Sequence, residues 1–300
     1  MQNIRILNRD KIDLRKWTLL VEKFANGLPY SNIWYLDAVC DEWKIIIYKD
    51  YEAGFAFQIK TKFGLPYSLH PFLTQQLGFL GNDENIFKMF LDQIKKHVFY
   101  YHYQLHHFNH VNQANSQKKT NYELELSKDY QELYKKYKNN TKRNVRKASN
   151  NKIQISKSRN LSLSDTVFIQ KYSKLPLKGK RWVKFKNLMD NAAKNNSLEI
   201  YKAKQSDNLL SIVIFIKNKI RAVYLMAVSN IEGQSLKANF LIVDTFIKDY
   251  AENLKILDFE GSNIEGIARF YAGFGASKTS YFVIKEPSLR NPFQKIFQSI

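Results

Sequence analysis

The stretch from Lys255 to Ile284, KILDFEGSNIEGIARFYAGFGASKTSYFVI, constrains the fold more than any other part of the chain. Ile256, Leu257 and Phe259 form the short apolar run of a buried strand. Gly261, Ser262 and Asn263 supply turn chemistry, and Asn263 is placed to cap a helix. Ile264, Ile267, Phe270, Tyr271 and Phe274 then recur at helical spacing. Gly273 and Gly275 are expected to end that helix with positive φ. Tyr281, Val283 and Ile284 resume as a strand. Strand, loop, helix, turn and strand in that order belong to an α/β layer.

The chain upstream extends the pattern. Ser127 is expected to cap a helix whose apolar face runs Tyr130, Leu133, Tyr134, Tyr137, Thr141, Val145 and Ala148. A short strand follows at Ile153 and Ile155, then helices over Leu163–Tyr172 and Trp182–Ala193. Three strands are expected at Leu198–Ala203, Leu209–Ile216 and Ile220–Val228, then a helix from Phe240 to Tyr250. The second half thus reads β-α-α-β-β-β-α-β-α-β. The first half is a looser version: a strand at Ile4–Leu7, a helix over Leu14–Phe24 and a hairpin over Trp43–Ile59. A loop rich in glycine, proline and aromatic residues then runs from Lys62 to Gly81, followed by a helix around Ile86–Val98 and two strands.

With 300 residues, 44% of them hydrophobic, the chain has room for two medium domains. Cys40 is the only cysteine, which excludes an intrachain disulfide and a thiolate metal cage. The N-terminal stretch lacks the apolar core of a secretory signal. The aliphatic run Leu209–Ile216 is far shorter than the ~20 residues of a membrane span. A cytoplasmic protein without a transmembrane segment is expected.

The formal charge of +20 is unevenly placed. Residues 127–186 hold 18 Lys and Arg against 3 Asp and Glu, whereas residues 1–126 hold 15 against 13 and residues 187–300 hold 14 against 11. That localisation is the footprint of a polyanion-binding face, although a lysine-rich composition also contributes.

ARFYAGFGA, Ala268 to Ala276, resembles the helix and turn of GNAT acyltransferases. DFEGS followed by GIARFYAGFGA is similar to the FemABX branch, as is the basic run NNTKRNVRKA that ends at Ala148. The resemblance covers most of the chain, together with the element order. It implies an α/β (α+β) fold of tandem GNAT-like acyl-CoA N-acyltransferase domains with mixed sheets flanked by helices. The charge change sets the expected split into residues 1–126 and 127–300. The resemblance also implies an N-acyltransferase, carrying an acyl or aminoacyl group from acyl-CoA or aminoacyl-tRNA to an amine. A cell-wall or amino-sugar precursor is among the candidate acceptors, and no tightly bound cofactor is expected. In GNAT enzymes the tyrosine matching Tyr271 often protonates the departing thiolate; the cell-wall Fem ligases usually have lysine there. The alternative is a non-catalytic RNA- or polyanion-binding module on a degenerate transferase fold.

Tyr271 is therefore a candidate acid or simply core. Asp258 and Glu260, at the end of the preceding strand, are a candidate base for the attacking amine or a loop cap. Lys142, Arg143, Arg146 and Lys147 form adjacent helical rows, and Lys178, Lys180 and Arg181 lie in a loop able to face them, suited to phosphate or to plain solvent. No zinc finger or RNP pattern is present, so DNA-specific or base-specific reading is not expected. His102, His106, His107 and His110 fall in an alternating aromatic stretch. On a strand their spacing spreads them too far for one metal, so no metal site is expected. The phosphate-cradling loop of GNAT enzymes should fall near Glu232–Asn239, where only Gly233 remains. No G-x-S-x-G, Walker loop or H-E-x-x-H occurs.

Overall fold

The computed structural model describes residues 3–109, 116–261 and 264–286. They divide into two compact units. The first lies within Met1–Asn26, Tyr30–Lys119 and Ser280–Ile300, the second within Gly27–Pro29 and Thr120–Thr279.

In chain order the first unit contributes β1 (Ile4–Asn8), α1 (Leu14–Phe24), α2 (Ile33–Val39), β2 (Lys44–Tyr48) and β3 (Ala53–Phe57). It continues with β4 (Lys60–Lys62), β5 (Leu65–Leu69), α3 (Glu84–Lys95) and β6 (Tyr100–Gln104). The chain then runs through β7 (Ser116–Glu125), α4 (Tyr130–Lys135), α5 (Asn139–Asn150), β8 (Gln154–Ser158), α6 (Leu163–Tyr172) and α7 (Lys180–Lys194). Next come β9 (Leu198–Gln205), β10 (Asn208–Lys217), β11 (Arg221–Ser229), α8 (Ile231–Ser235) and α9 (Ala238–Tyr250). The last elements are β12 (Ile256–Asp258), α10 (Glu265–Gly273) and β13 (Ser277–Glu286).

In the first unit, β1, β2 and β3 form an antiparallel sheet. Beside it, β5 pairs with β4 antiparallel and with β6 in parallel, and β6 pairs with the end of β13. Phe55, Phe87, Phe90, Tyr101 and Tyr103 fill the core here. The first half is thus more regular than its glycine and proline content predicts, since β5 forms inside the expected loop and β4 at its start.

In the second unit the strand order is β7-β12-β11-β10-β9-β8. Among the described residues β11 and β12 pair in parallel, while the pairs β7–β12, β11–β10, β10–β9 and β9–β8 are antiparallel. Helix α9 packs its Ile242, Val243, Phe246 and Ile247 over one face, with Phe246 stacked on Phe215 at 3.8 Å. Because side chains alternate along a strand, Tyr201 and Ala203 of β9 join that core while Lys202 points to the other face and pairs with Asp165 of α6 at 2.9 Å.

The chain passes from the first unit to the second at Lys119/Thr120 and re-enters the first at Ser280, where Val283–Glu286 pair with β6. Two expectations need correction. The helix expected from Ser127 to Ala148 is two helices. Asp129, not Ser127, caps α4 by accepting from the Gln131 and Glu132 N–H groups. Gly275 does take positive φ, but Gly273 is needed for space: a Cβ there would lie 2.3 Å from Thr141 Oγ1, where α10 crosses α5. Asn263, expected as a cap, and Ser262 lie outside the described residues.

Candidate active site in the second unit

The site begins with a fault in the sheet. β11 pairs with β12 over only three positions, Arg221 with Ile256, Ala222 with Leu257 and Val223 with Asp258. Beyond them the two strands part, and each has a local reason. On β11 the register against β10 shifts, with Phe215 opposite Tyr224 but Ile214 opposite Met226, so Leu225 bulges and bends the strand. On the other side the chain leaving β12 stays with β7: Phe259 N–H donates to the Tyr122 carbonyl (2.9 Å), and Tyr122 N–H donates to the Glu260 carbonyl (3.3 Å). The gap becomes a cavity of about 430 Å³. Its walls are β11 from Tyr224 to Ser229, the segment Phe259–Gly261, α10 and the residues Tyr172–Leu175 at the end of α6. No strand covers that edge of β11 among the described residues, so its outward backbone groups face the cavity.

A buried ion pair lies beneath the opening. Arg221 Nη1 donates to Asp258 Oδ2 at 2.6 Å and to Glu123 Oε1 at 2.7 Å. The Arg221 and Asp258 side chains have 0% exposure. Burial alone would lower the guanidinium pKa, but the Asp258 and Glu123 charges outweigh it and raise it. Burial raises the Asp258 carboxyl, against the pull of Arg221, the Glu260 N–H and Asn121 Nδ2. Asp258 Oδ1 accepts from both, at 2.9 Å and 3.1 Å. With both oxygens engaged and no exposure, Asp258 is placed to hold backbone rather than to take a substrate proton.

What it holds is Glu260, a non-glycine residue at φ 60, which turns the chain along the cavity wall. The Glu260 side chain is half-buried and belongs to the lining. Opposite, α10 presents Ile267, Phe270 and Tyr271 to the cavity, while Phe274 enters the core. Tyr271 is 8% exposed, stacks on Phe259 at 4.8 Å and meets Tyr224 edge-on at 5.9 Å. Burial, then the Glu260 and Asp258 charges, raise its pKa, so the hydroxyl keeps its proton at neutral pH.

Tyr271 and Glu260 thus share one cavity, with Asp258 directly behind it. The basic candidates do not. Arg143, Arg146 and Lys147 are exposed and Lys142 half-buried on α5, where Lys142 reaches back to the Lys135 carbonyl; none of the four lines the cavity. Lys180 and Arg181 open α7, also exposed and outside the lining. Helix α5 packs on α9, whereas α7 packs on β9. Among the described residues the cation that does line the cavity is Lys174, together with the polar Ser229, Gln234 and Asn239. Gly233, the remnant of the expected phosphate loop, has a packing role, since a Cβ would lie 2.2 Å from the Leu210 carbonyl oxygen. His102 lies on β6 and His106 and His107 follow its end, while His110 lies outside the described residues. Among the described residues no three His, Cys, Asp or Glu side chains group as metal ligands. No helix among them is long and apolar enough to cross a membrane.

Sequence reasoning missed Arg221 and the open edge of β11. The signal for Arg221 was present: one arginine opening the otherwise apolar run RAVYLMAV. The bulge left no mark, because Leu225 differs in no way from its neighbours.

No protein-family model matches the chain, and no curated protein matches it. Solved structures do. FemX superposes with a TM-score of 0.67 over 99% of both chains, at 12% identity. L-PGS from Bacillus licheniformis superposes with a TM-score of 0.59 over 96% of both, at 11% identity. A tandem GNAT protein from the clavulanic acid biosynthesis pathway gives 0.54 over 95% of this chain and all of its own, at 10% identity. At such identities the likeness establishes the fold, a FemABX- and GNAT-like arrangement spanning the whole chain.

Proposed function

We propose that the second unit is an N-acyltransferase acting in the cavity between β11 and β12. The observation that carries this reading is the coincidence of an uncovered strand edge and a buried, protonated Tyr271 in one cavity. A donor carbonyl laid along β11 would meet backbone N–H groups able to hold the negative charge that develops on its oxygen. An amine nitrogen attacks the carbonyl carbon and its proton passes to Glu260, directly or through water. The carbon–sulfur or carbon–oxygen bond then breaks, and Tyr271 gives its proton to the leaving thiolate or alkoxide. Arg221 and Asp258 keep the Glu260 turn in place. The donor is acyl-CoA or aminoacyl-tRNA, and the acceptor a primary amine. Tyr271 favours the thioester; the missing phosphate loop and the basic α5 surface favour tRNA.

The test is turnover of a mixed amine panel with acetyl-CoA and, separately, charged tRNA. Wild type is expected to use one donor, and Tyr271→Phe to lose about 10²- to 10⁴-fold in rate with donor affinity nearly unchanged. Full activity in Tyr271→Phe ends the acid role. No turnover with either donor, combined with RNA binding that depends on Arg143 and Arg146, replaces the enzyme by a polyanion-binding module.

A further inference from the structure

The connection between α6 and α7 forms one rim of the cavity mouth, and its composition differs from that of α5. Between Asp165 and Asp190 the chain carries seven Lys and Arg and no acid, and six of the seven are lysine. Lys174, Lys178, Lys180 and Lys186 are exposed, with no carboxylate paired to them among the described residues. Set among these cations are aliphatic side chains that the fold leaves uncovered: Leu175 is 42% exposed and Val183 55%. The outward position of Leu175 is built in. Its N–H donates to Ser173 Oγ at 3.1 Å, its carbonyl accepts from the Leu177 N–H at 2.8 Å, and Leu177 itself is buried. On α7, Phe185 is fully buried, so Val183 is held outward between Lys180 and Lys186, three residues away on either side. The facing rim on α10 contributes Ile267, 39% exposed and lining the same cavity.

Exposed aliphatics fixed among unpaired lysines suit a surface that is apolar inside and anionic at its face. Nucleic acid calls for a different composition. Phosphate groups presented singly favour the forked contact of arginine, and bases favour aromatic platforms; neither needs a leucine or a valine. Lysine acts as a point charge toward a diffuse field, and its stem lies along apolar surface. We propose that this rim docks on an anionic lipid bilayer, with Leu175 and Val183 entering the acyl boundary and the lysines among the headgroups, so that the cavity mouth opens at the lipid–water interface.

The experiment is flotation of the full chain with vesicles of phosphatidylcholine alone and of phosphatidylcholine with one part in four phosphatidylglycerol. Binding is expected only to the anionic vesicles and should weaken with added salt. Replacing Lys174, Lys178 and Lys180 by Gln should lower partitioning about 10²-fold, at about fivefold per cation. Leu175→Ser with Val183→Ser leaves the charge unchanged and should lower it about tenfold. These side chains are exposed, and an unchanged thermal melt in each variant verifies the fold. Failure of the wild type to float with anionic vesicles at low salt overturns the proposal. So does binding that the aliphatic pair leaves unmoved, or tRNA that displaces the vesicles through the same lysines. None of these readouts uses turnover, so the proposal stands or falls apart from the transferase reading.

Discussion

The two units bury polar groups in opposite ways. In the second unit the buried groups beside the cavity are charged and paired: Arg221 with Asp258 and Glu123. In the first unit they are neutral and aim at backbone. Asn109 Oδ1 accepts from the Phe79 N–H (3.0 Å) and the His106 N–H (3.3 Å), and its Nδ2 donates to the Phe79 carbonyl (3.0 Å). Gln76 Oε1 accepts from the His107 N–H at 3.0 Å, and His70 Nδ1 from the Gln104 N–H at 3.2 Å. The neutral set closes a loop that has few ladder partners of its own, and each side chain stands in for a missing strand. The charged set does the reverse. It braces two strands where they separate, at a point where an apolar filling would tend to close the gap. Buried charge thus accompanies an opening that must persist, and buried amides accompany a loop that must stay shut.

The sharpest way to break that contrast is Arg221→Met. The methionine roughly keeps the volume but leaves Asp258 and Glu123 without their cation, and removing one member of a buried pair costs about 3–5 kcal/mol. Urea unfolding should show a loss of that size, and Arg221→Met with Asp258→Asn should regain part of it. A loss below about 1 kcal/mol would mean that the pair does not brace the strands.

How far these features could be read from sequence depends on their range. The strands β9 to β11, the strand that opens at Ile256 and the Tyr271 helix follow from local periodicity and are present in the fold, whereas α8 and the break between α4 and α5 are not in the expected order. Tyr271 and Glu260 were placed beside the site because a strand end and the helix after it are local neighbours. The missed helix α2 (Ile33–Val39) carries two aromatic residues and no side-chain cap, so nothing local announced it. Charge density marks a surface but not its neighbour, and only packing shows that Lys174 reaches the cavity while Arg143 and Arg146 do not. The course of the chain between the two units is not legible locally, because strand pairing is non-local: β13 returns to β6 across most of the chain.

The next largest effect is expected in the neutral set. Asn109→Ala removes three hydrogen bonds at once and leaves the Phe79 N–H, Phe79 carbonyl and His106 N–H short of that partner. At about 1–3 kcal/mol for a buried group left unsatisfied, partly relieved by relaxation, the loss should be about 2–4 kcal/mol. Amide exchange should rise at Phe79 and His106 while the second unit stays protected. Asn109→Asp separates shape from chemistry, because a carboxylate accepts as well as the amide but cannot donate to the Phe79 carbonyl. If Asn109→Ala is nearly neutral, the loop is held by its apolar contacts and the side chain is incidental.

The smallest effect is the dependence on acid that the neutral set carries through its histidines. Burial, reinforced by the nearby His102, pushes the His70 imidazole down to about 3, although bonds to the Thr74 and Gln75 backbone oppose the shift. The geometry agrees, because Nδ1 can accept the Gln104 N–H only while it carries no proton. In the unfolded chain the same group titrates near 6.5, so between about 6.5 and 3 the unfolded state binds a proton that the folded state refuses. The stability contributed by neutral His70 is therefore complete above pH 6.5 and is lost as the pH falls. From pH 7 to pH 5 the loss should be about 2 kcal/mol for His70. His102, pushed down to about 4 mainly by burial, adds its own share over the same interval. Urea midpoints at the two pH values measure the sum. His70→Gln, which cannot be protonated, should remove the His70 part of the slope while lowering stability at pH 7. A slope that survives His70→Gln intact would assign the acid sensitivity elsewhere and dissolve the distinction between a loop closed by neutral groups and a cleft braced by charge.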